Sequence, residues 1–162
     1  MSVTVSYAST LTVSEILATN VADMSDKTVV HSGYNSSGTY NAASSPPSTT
    51  VAAFEQALSS GTATIDLRAL LGTNNIAVDG NGLRAQFIKF RNKSTNANPI
   101  TIAKGASNGY DGLGAAFSIA LAVGAEFLMK LNDGGNDIGA TNKTLDLTGT
   151  GAQVLECEIV MG

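Results

Sequence analysis

The sequence predicts an all-β protein: a two-layer antiparallel β-sandwich, jelly-roll-like, with about 8–10 short strands and one or two short helical turns. Three observations predict it. Short runs alternate apolar and polar residues, as half-buried strands do. Clusters of Gly, Asn, Asp and Ser separate these runs and supply the positive φ angles that tight turns need. Neither a linker nor a repeated period divides the chain, so residues 1–162 are read as a single β-sandwich domain. One sheet of so many strands would curl or split into two layers.

The elements follow in order. Val3, Val5 and Tyr7 alternate with Thr4 and Ser6 in a first strand. Residues 12–22 stay open between helix and strand. Thr12 and Glu15 match a capping box, and Val13, Ile16, Leu17 and Val21 follow helical spacing. Thr28 to Gly33 forms a strand, Asn35 to Gly38 a turn, and Thr39 to Asn41 a short return strand. Residues 35–50, with Pro46 and Pro47, read as a long loop or an arm. Val51 to Leu58 fits one helical face or an alternating strand, and strand is preferred. Ala63, Ile65 and Leu67 share one face of the next strand, and Leu67 to Leu71 before Gly72 reads as a helical turn. Asp79 to Gly82 is a turn.

Leu83 to Arg91 is irregular, because Leu83, Ala85 and Phe87 take one parity and Ile88 and Phe90 the other. Either a β-bulge near Phe87 or burial on both faces resolves it. With the bulge, Arg84, Gln86, Lys89 and Arg91 share a polar face. Pro99 to Ala103 reads as an edge strand or a strand start. Two strands flank Gly124, polar loops cover 106–114 and 132–139, and Leu145 and Leu147 flank Asp146. The last strand alternates Leu155, Cys157, Ile159 and Met161 with Glu156, Glu158 and Val160.

Composition narrows the function classes. The chain has one His, one Cys, no Trp and 14% charged residues, so few groups are available for acid–base or nucleophilic chemistry. No enzymatic activity and no cofactor are expected. A net charge of −4 speaks against nucleic acid. Residues 113–123 are too few and too Gly/Ser-interrupted to span a bilayer, so no membrane partner is expected. The first residues carry neither a basic nor an apolar leader segment, so secretion by a signal peptide is not expected.

Several residues are weighed as sites. His31 would need a nucleophile and an orienting carboxylate that only tertiary structure could supply, so an ordinary strand histidine is preferred, and Cys157 on an apolar parity reads as a small core hydrophobe. Asp133, Asn136 and Asp137 supply oxygen ligands and sit beside sharp-turn glycines, with Asp111 able to join if the two loops meet. They lack EF-hand spacing and a distal bidentate Glu, so a solvated loop is preferred and no metal is assigned. Arg84, Lys89, Arg91 and Lys93 form the basic cluster, and the first three could grip an acidic partner. Tyr110 in its Gly-rich loop is a further partner-contact candidate. Glu156 and Glu158 share a face, but the scarcity of aromatic platforms argues against a glycosidase.

Exposed strand faces of Ser, Thr, Ala, Asn and Gly lose little hydration when covered, and charge is depleted at interface cores. The outer surface is therefore expected to meet other protein, most naturally copies of the same chain in closed symmetry. With SVTVSYA at its start, NPITIAKGASNGYDG in its middle and AQVLECEIVMG at its end, the chain resembles the small β-sandwich virion proteins of tailed bacteriophages, including capsid decoration (cement) proteins. The resemblance implies a non-enzymatic component located in the virion, decorating or stabilising the capsid or another part. It implies a homo-oligomer, a trimer on a lattice, with other virion proteins such as a major capsid protein as partners. The alternative is a lectin-like or calcium-dependent carbohydrate-binding module.

Overall fold

The computed structural model describes residues 2–18, 25–131 and 136–162, and within them the regular structure is all strand. The strands are β1 (Val5–Ser9), β2 (Val13–Leu17), β3 (Lys27–His31), β4 (Ser36–Tyr40), β5 (Thr50–Ala57), β6 (Thr62–Asp66), β7 (Leu70–Leu71), β8 (Ala77–Val78), β9 (Ala85–Asn92), β10 (Ile100–Lys104), β11 (Ser118–Leu121), β12 (Glu126–Lys130), β13 (Thr144–Thr148) and β14 (Val154–Met161). Eight of them form two four-stranded antiparallel sheets, in the orders β11-β10-β13-β6 and β12-β9-β14-β5. The remaining six form the antiparallel pairs β1–β4, β2–β3 and β7–β8.

Alternation explains how the two large sheets meet. Ile65, Ile102, Leu145 and Leu147 from the first and Ile88, Phe90, Leu155 and Ile159 from the second are inaccessible and belong to one hydrophobic cluster. Each such side chain, fully withdrawn from water, contributes about 1.5–3 kcal/mol. The intervening polar residues, such as Asp146 and Glu158, stay at the surface. The turn around Gly124 does more than reverse the chain. It carries the chain from β11 in one sheet to β12 in the other, with Gly124 at φ 75°.

Strand β9 resolves its irregularity in both of the ways open to it. Phe87 pairs with Val160 and Ala85 with Met161, so Gln86 is an extra, bulged residue and Ala85 rejoins the core-facing set. Phe87 itself lies on the opposite face and is covered by Tyr7 and Tyr40, with ring centroids 5.7 and 5.0 Å away. The expected four-residue polar face is corrected accordingly. Gln86 is buried in the bulge and Arg84 precedes the strand, leaving Lys89 and Arg91 on the outer face.

Other expectations are also corrected. The described residues hold fourteen strands, of which β7 and β8 are only two residues long, and no helical turn. Residues 13–17 form β2, whose backbone pairs with β3, and Thr12 precedes it; Val21 lies outside the described residues. Residues 67–71 form a turn into β7: Asp66 accepts from the backbone N–H groups of Arg68 and Ala69, which gives Leu67 and Leu70 their helix-like spacing. Residues 36–40 do not return onto 28–33; they continue past the turn at 32–35 and pair with β1. Strand β10 starts after Pro99 but sits inside its sheet, between β11 and β13, because the missing N–H of proline falls before the ladder begins.

Candidate interaction surface

Two features stand out from the core: the outer face of the β12-β9-β14-β5 sheet and the N-terminal ribbon. Cross-strand register arranges the outer face in rows. Glu126, Arg91, Glu156 and Glu55 lie side by side in one row, and Leu128, Lys89, Glu158 and Ala53 in the next. Lys130, Phe87, Val160 and Val51 make the third row, which the β1–β4 pair overlies through Tyr7 and Tyr40. Lys130 donates to the Tyr40 hydroxyl and lies 4.6 Å from the centroid of that ring. The face thus runs from charged at one end to apolar and covered at the other.

The charged rows are internally matched. Arg91 Nε donates to Glu156 Oε2, Lys93 Nζ to Glu55 Oε1 at 2.5 Å, and Lys89 Nζ lies 3.3 Å from Glu126 Oε2. The hydrogen bond from Arg91 holds the Glu156 carboxyl below its usual range, and Glu156 raises Arg91 in turn. Lys89, Arg91, Glu156 and Glu158 line a shallow concavity of about 420 Å³. Arg84, the remaining cation of the expected stripe, is at a different place and bonds Asp137 at 2.6 Å. The cluster is therefore not one basic surface. An acidic partner would have to displace a carboxylate already bonded to each of these cations.

The loops near Tyr110 do meet. Asn136 donates from its amide to both Asp111 carboxylate oxygens, at 2.9 and 2.8 Å, while Asn142 accepts from the Asp111 N–H and donates to the Asp137 carbonyl. Asp111 and Asp137 are thus held by an amide and a guanidinium. Asp133 lies outside the described residues, and among the described residues no three His, Cys, Asp or Glu side chains converge. Tyr110, expected to face a partner, is instead fully buried; its hydroxyl accepts from the Ala85 N–H at 3.2 Å, and burial raises its pKa. The Gly-rich spacing around it serves close packing, since a Cβ on Gly112 would collide with the Tyr110 ring.

His31 and Cys157 part ways. Cys157 is buried in the core, and burial pushes its thiol far above its usual range, which leaves it without nucleophilic character. His31 is on β3 and lies 3.3 Å from Glu15 on β2, both side chains more than half exposed. The pair bridges the two strands of the ribbon.

The ribbon is the less expected feature. Val5–Leu17 runs antiparallel to Lys27–Tyr40, first as β1–β4 and then as β2–β3, with residues 10–12 facing 32–35. At ~3.3 Å per residue this is about 40 Å of two-stranded structure. The proximal part rests on Phe87. The distal part, β2–β3, is exposed at every residue. One of its faces carries Val13, Leu17 and Val29, the other Ile16 and Val30. Leu11 is 76% and Ile16 69% exposed, and Tyr34 is fully exposed.

Sequence reasoning also missed a buried amide network at the opposite end of the sheets. Asn92, inaccessible, donates to the carbonyls of Leu121 and Asn98; Asn96 donates to Asn92 Oδ1 and Val154 O; Gln153 donates to Asn98 O. These side chains satisfy backbone groups where loops leave both sheets. Their only signal was the concentration of Asn at 92, 96 and 98, which composition reads as loop. Comparison with known proteins finds no matching family model, no matching curated protein and no matching solved structure.

Proposed function

We propose that this chain is a non-enzymatic structural component of a viral particle, of the tailed-phage kind, that decorates or stabilises the capsid or another part through subunit contacts. One observation carries the reading: the β2–β3 ribbon projects apolar side chains on both faces into solvent. An isolated two-stranded ribbon is marginal in water, and exposed apolar surface of this kind marks an interaction site. A neighbouring subunit is the natural cover.

The fold is a two-layer jelly roll in this reading. Its support is the strand order: β13 returns between β6 and β10, and β14 returns between β5 and β9. Two such Greek-key returns belong to an eight-stranded jelly roll, an architecture common to capsid and lectin domains. The low charge and the sequence resemblance favour the virion over the lectin.

Mass spectrometry of purified particles tests the proposal: the chain is expected in stoichiometric amounts with a capsid or tail protein. Its absence from particles, together with calorimetric binding of calcium or of a glycan, would replace the structural reading with the carbohydrate-binding one.

A further inference from the structure

We propose that the distal ribbon, β2–β3, packs on the β7–β8 lobe of a second copy of this chain, so that each copy donates one arm and receives one. The inference rests on the assembly reading above and names the partner and the contact. Its starting point is that the same molecule carries two uncovered apolar surfaces. One is the arm, with Leu11, Ile16, Val30 and Tyr34 exposed. The other is the lobe, where Leu71 is 47% and Ile76 63% exposed beside a concavity of about 380 Å³. Val51, Ile76 and Val78 line that concavity with Thr73, Asn74 and Ala77, and no ionisable side chain does.

Charge permits the contact. The face of the arm bearing Ile16 and Val30 also carries Ser14 and Thr28 and no charged residue, whereas Glu15, Lys27 and His31 lie on the other face. An uncharged face thus meets an uncharged acceptor, with no buried ion to compensate.

Area permits it as well. Two strands make a ribbon about 10 Å wide, and residues 10–17 extend about 26 Å. One face on each of two reciprocal arms, counted on donor and acceptor, removes on the order of 1,000 Å² of surface, and coverage of both faces doubles it. That range is what specific interfaces bury. The contact also continues an existing one. The proximal half of the same ribbon is already seated on its own sheet through Tyr7 and Tyr40, and the concavity beside its root shares Val51 and Thr73 with the lobe. Each chain has one arm and one lobe, so a closed pair or ring leaves neither exposed.

The test uses the full chain in sedimentation velocity and a short bis-maleimide as cross-linker. The expected results are a multimer for the wild type, the mass of one chain for the Ile16→Ser/Val30→Ser double variant with unchanged thermal unfolding of the body, and a cross-linked dimer when Ile16→Cys protein is mixed with Ile76→Cys protein. Wild-type protein, whose single Cys157 is buried, serves as the uncross-linked control. A monomeric wild type overturns the inference and leaves binding to a preformed lattice standing. A multimer that survives the double variant, or a mixture of the I16C and I76C proteins that yields no cross-link, overturns this contact while leaving assembly itself intact.

Discussion

The body and the N-terminal ribbon are made of similar residues and obey opposite rules. In β9, β13 and β14 the apolar side chains find partners across a shared core. In β2 and β3 the same kinds of residue, Val, Ile and Leu, fall on both faces of the pair and stay exposed among the described residues. The difference teaches that strand patterning specifies pairing and face, whereas burial depends on whether a second layer exists. The body supplies its own second layer. In the proposed reading, the ribbon's second layer is a neighbouring subunit.

Substitutions in the two regions sharpen that contrast. Phe90→Ala removes an inaccessible ring from the body and is expected to cost about 3–5 kcal/mol in denaturant unfolding. Ile16→Ala in the ribbon should change the same transition by less than about 0.5 kcal/mol at concentrations where the chain is monomeric. An equal effect at both positions would mean that the ribbon is part of the core. Next in size is Asn92→Ala, which removes the amide that donates to the Leu121 carbonyl and accepts from Asn96, while Asn98 O keeps its bond from Gln153; a loss of about 1–3 kcal/mol is expected. A neutral result would show that the amide network is solvated.

The root of the ribbon is the boundary between the two regimes. A double-mutant cycle of Tyr40→Ala and Phe87→Ala should give a coupling of about 0.5–1.5 kcal/mol, from the rings 5.0 Å apart. Zero coupling would detach the proximal ribbon from the sheet. The smallest effect belongs to the charged row. Glu156 has an ordinary pKa of 4.5 and a lower one when folded beside Arg91. The unfolded carboxyl therefore takes up its proton first as pH falls. The pair's contribution is complete above about pH 4.5 and is lost as pH drops through the folded value. Glu156→Gln should remove that small part of the acid destabilisation, which solvent screens because the pair is at the surface. An unchanged pH profile would show that the pair adds nothing.

Much of the body was legible because its strands bury one face. Ala63, Ile65 and Leu67, or Leu155, Cys157, Ile159 and Met161, announce their inner face by parity alone. The bulge at Gln86 was foreshadowed, to within one residue, by the parity break at Phe87. The ribbon was harder to read. Thr12, Glu15, Ile16 and Leu17 satisfy a helix start as well as a strand, and only the long-range pairing with β3 decides between them. Tyr110 misled for a related reason. Glycines on either side suggest an exposed loop, yet they admit close packing around a buried ring. Gly61 shows the same effect in a turn, at φ 85° with its absent Cβ 2.7 Å from the Gly149 carbonyl. The ion pairs of Arg84 and Arg91 depend on partners far along the chain, 53 residues away from Arg84 to Asp137 and 65 residues away from Arg91 to Glu156. No local pattern announces such a partner.

Hydrogen exchange as a function of protein concentration tests most directly whether the ribbon depends on a neighbour. Backbone amides of 13–17 and 27–31 should be protected strongly at high concentration and exchange freely on dilution, while those of β9 and β14 stay equally protected throughout. Ribbon amides whose protection is the same at every concentration, and as high as that of the body, would contradict the account.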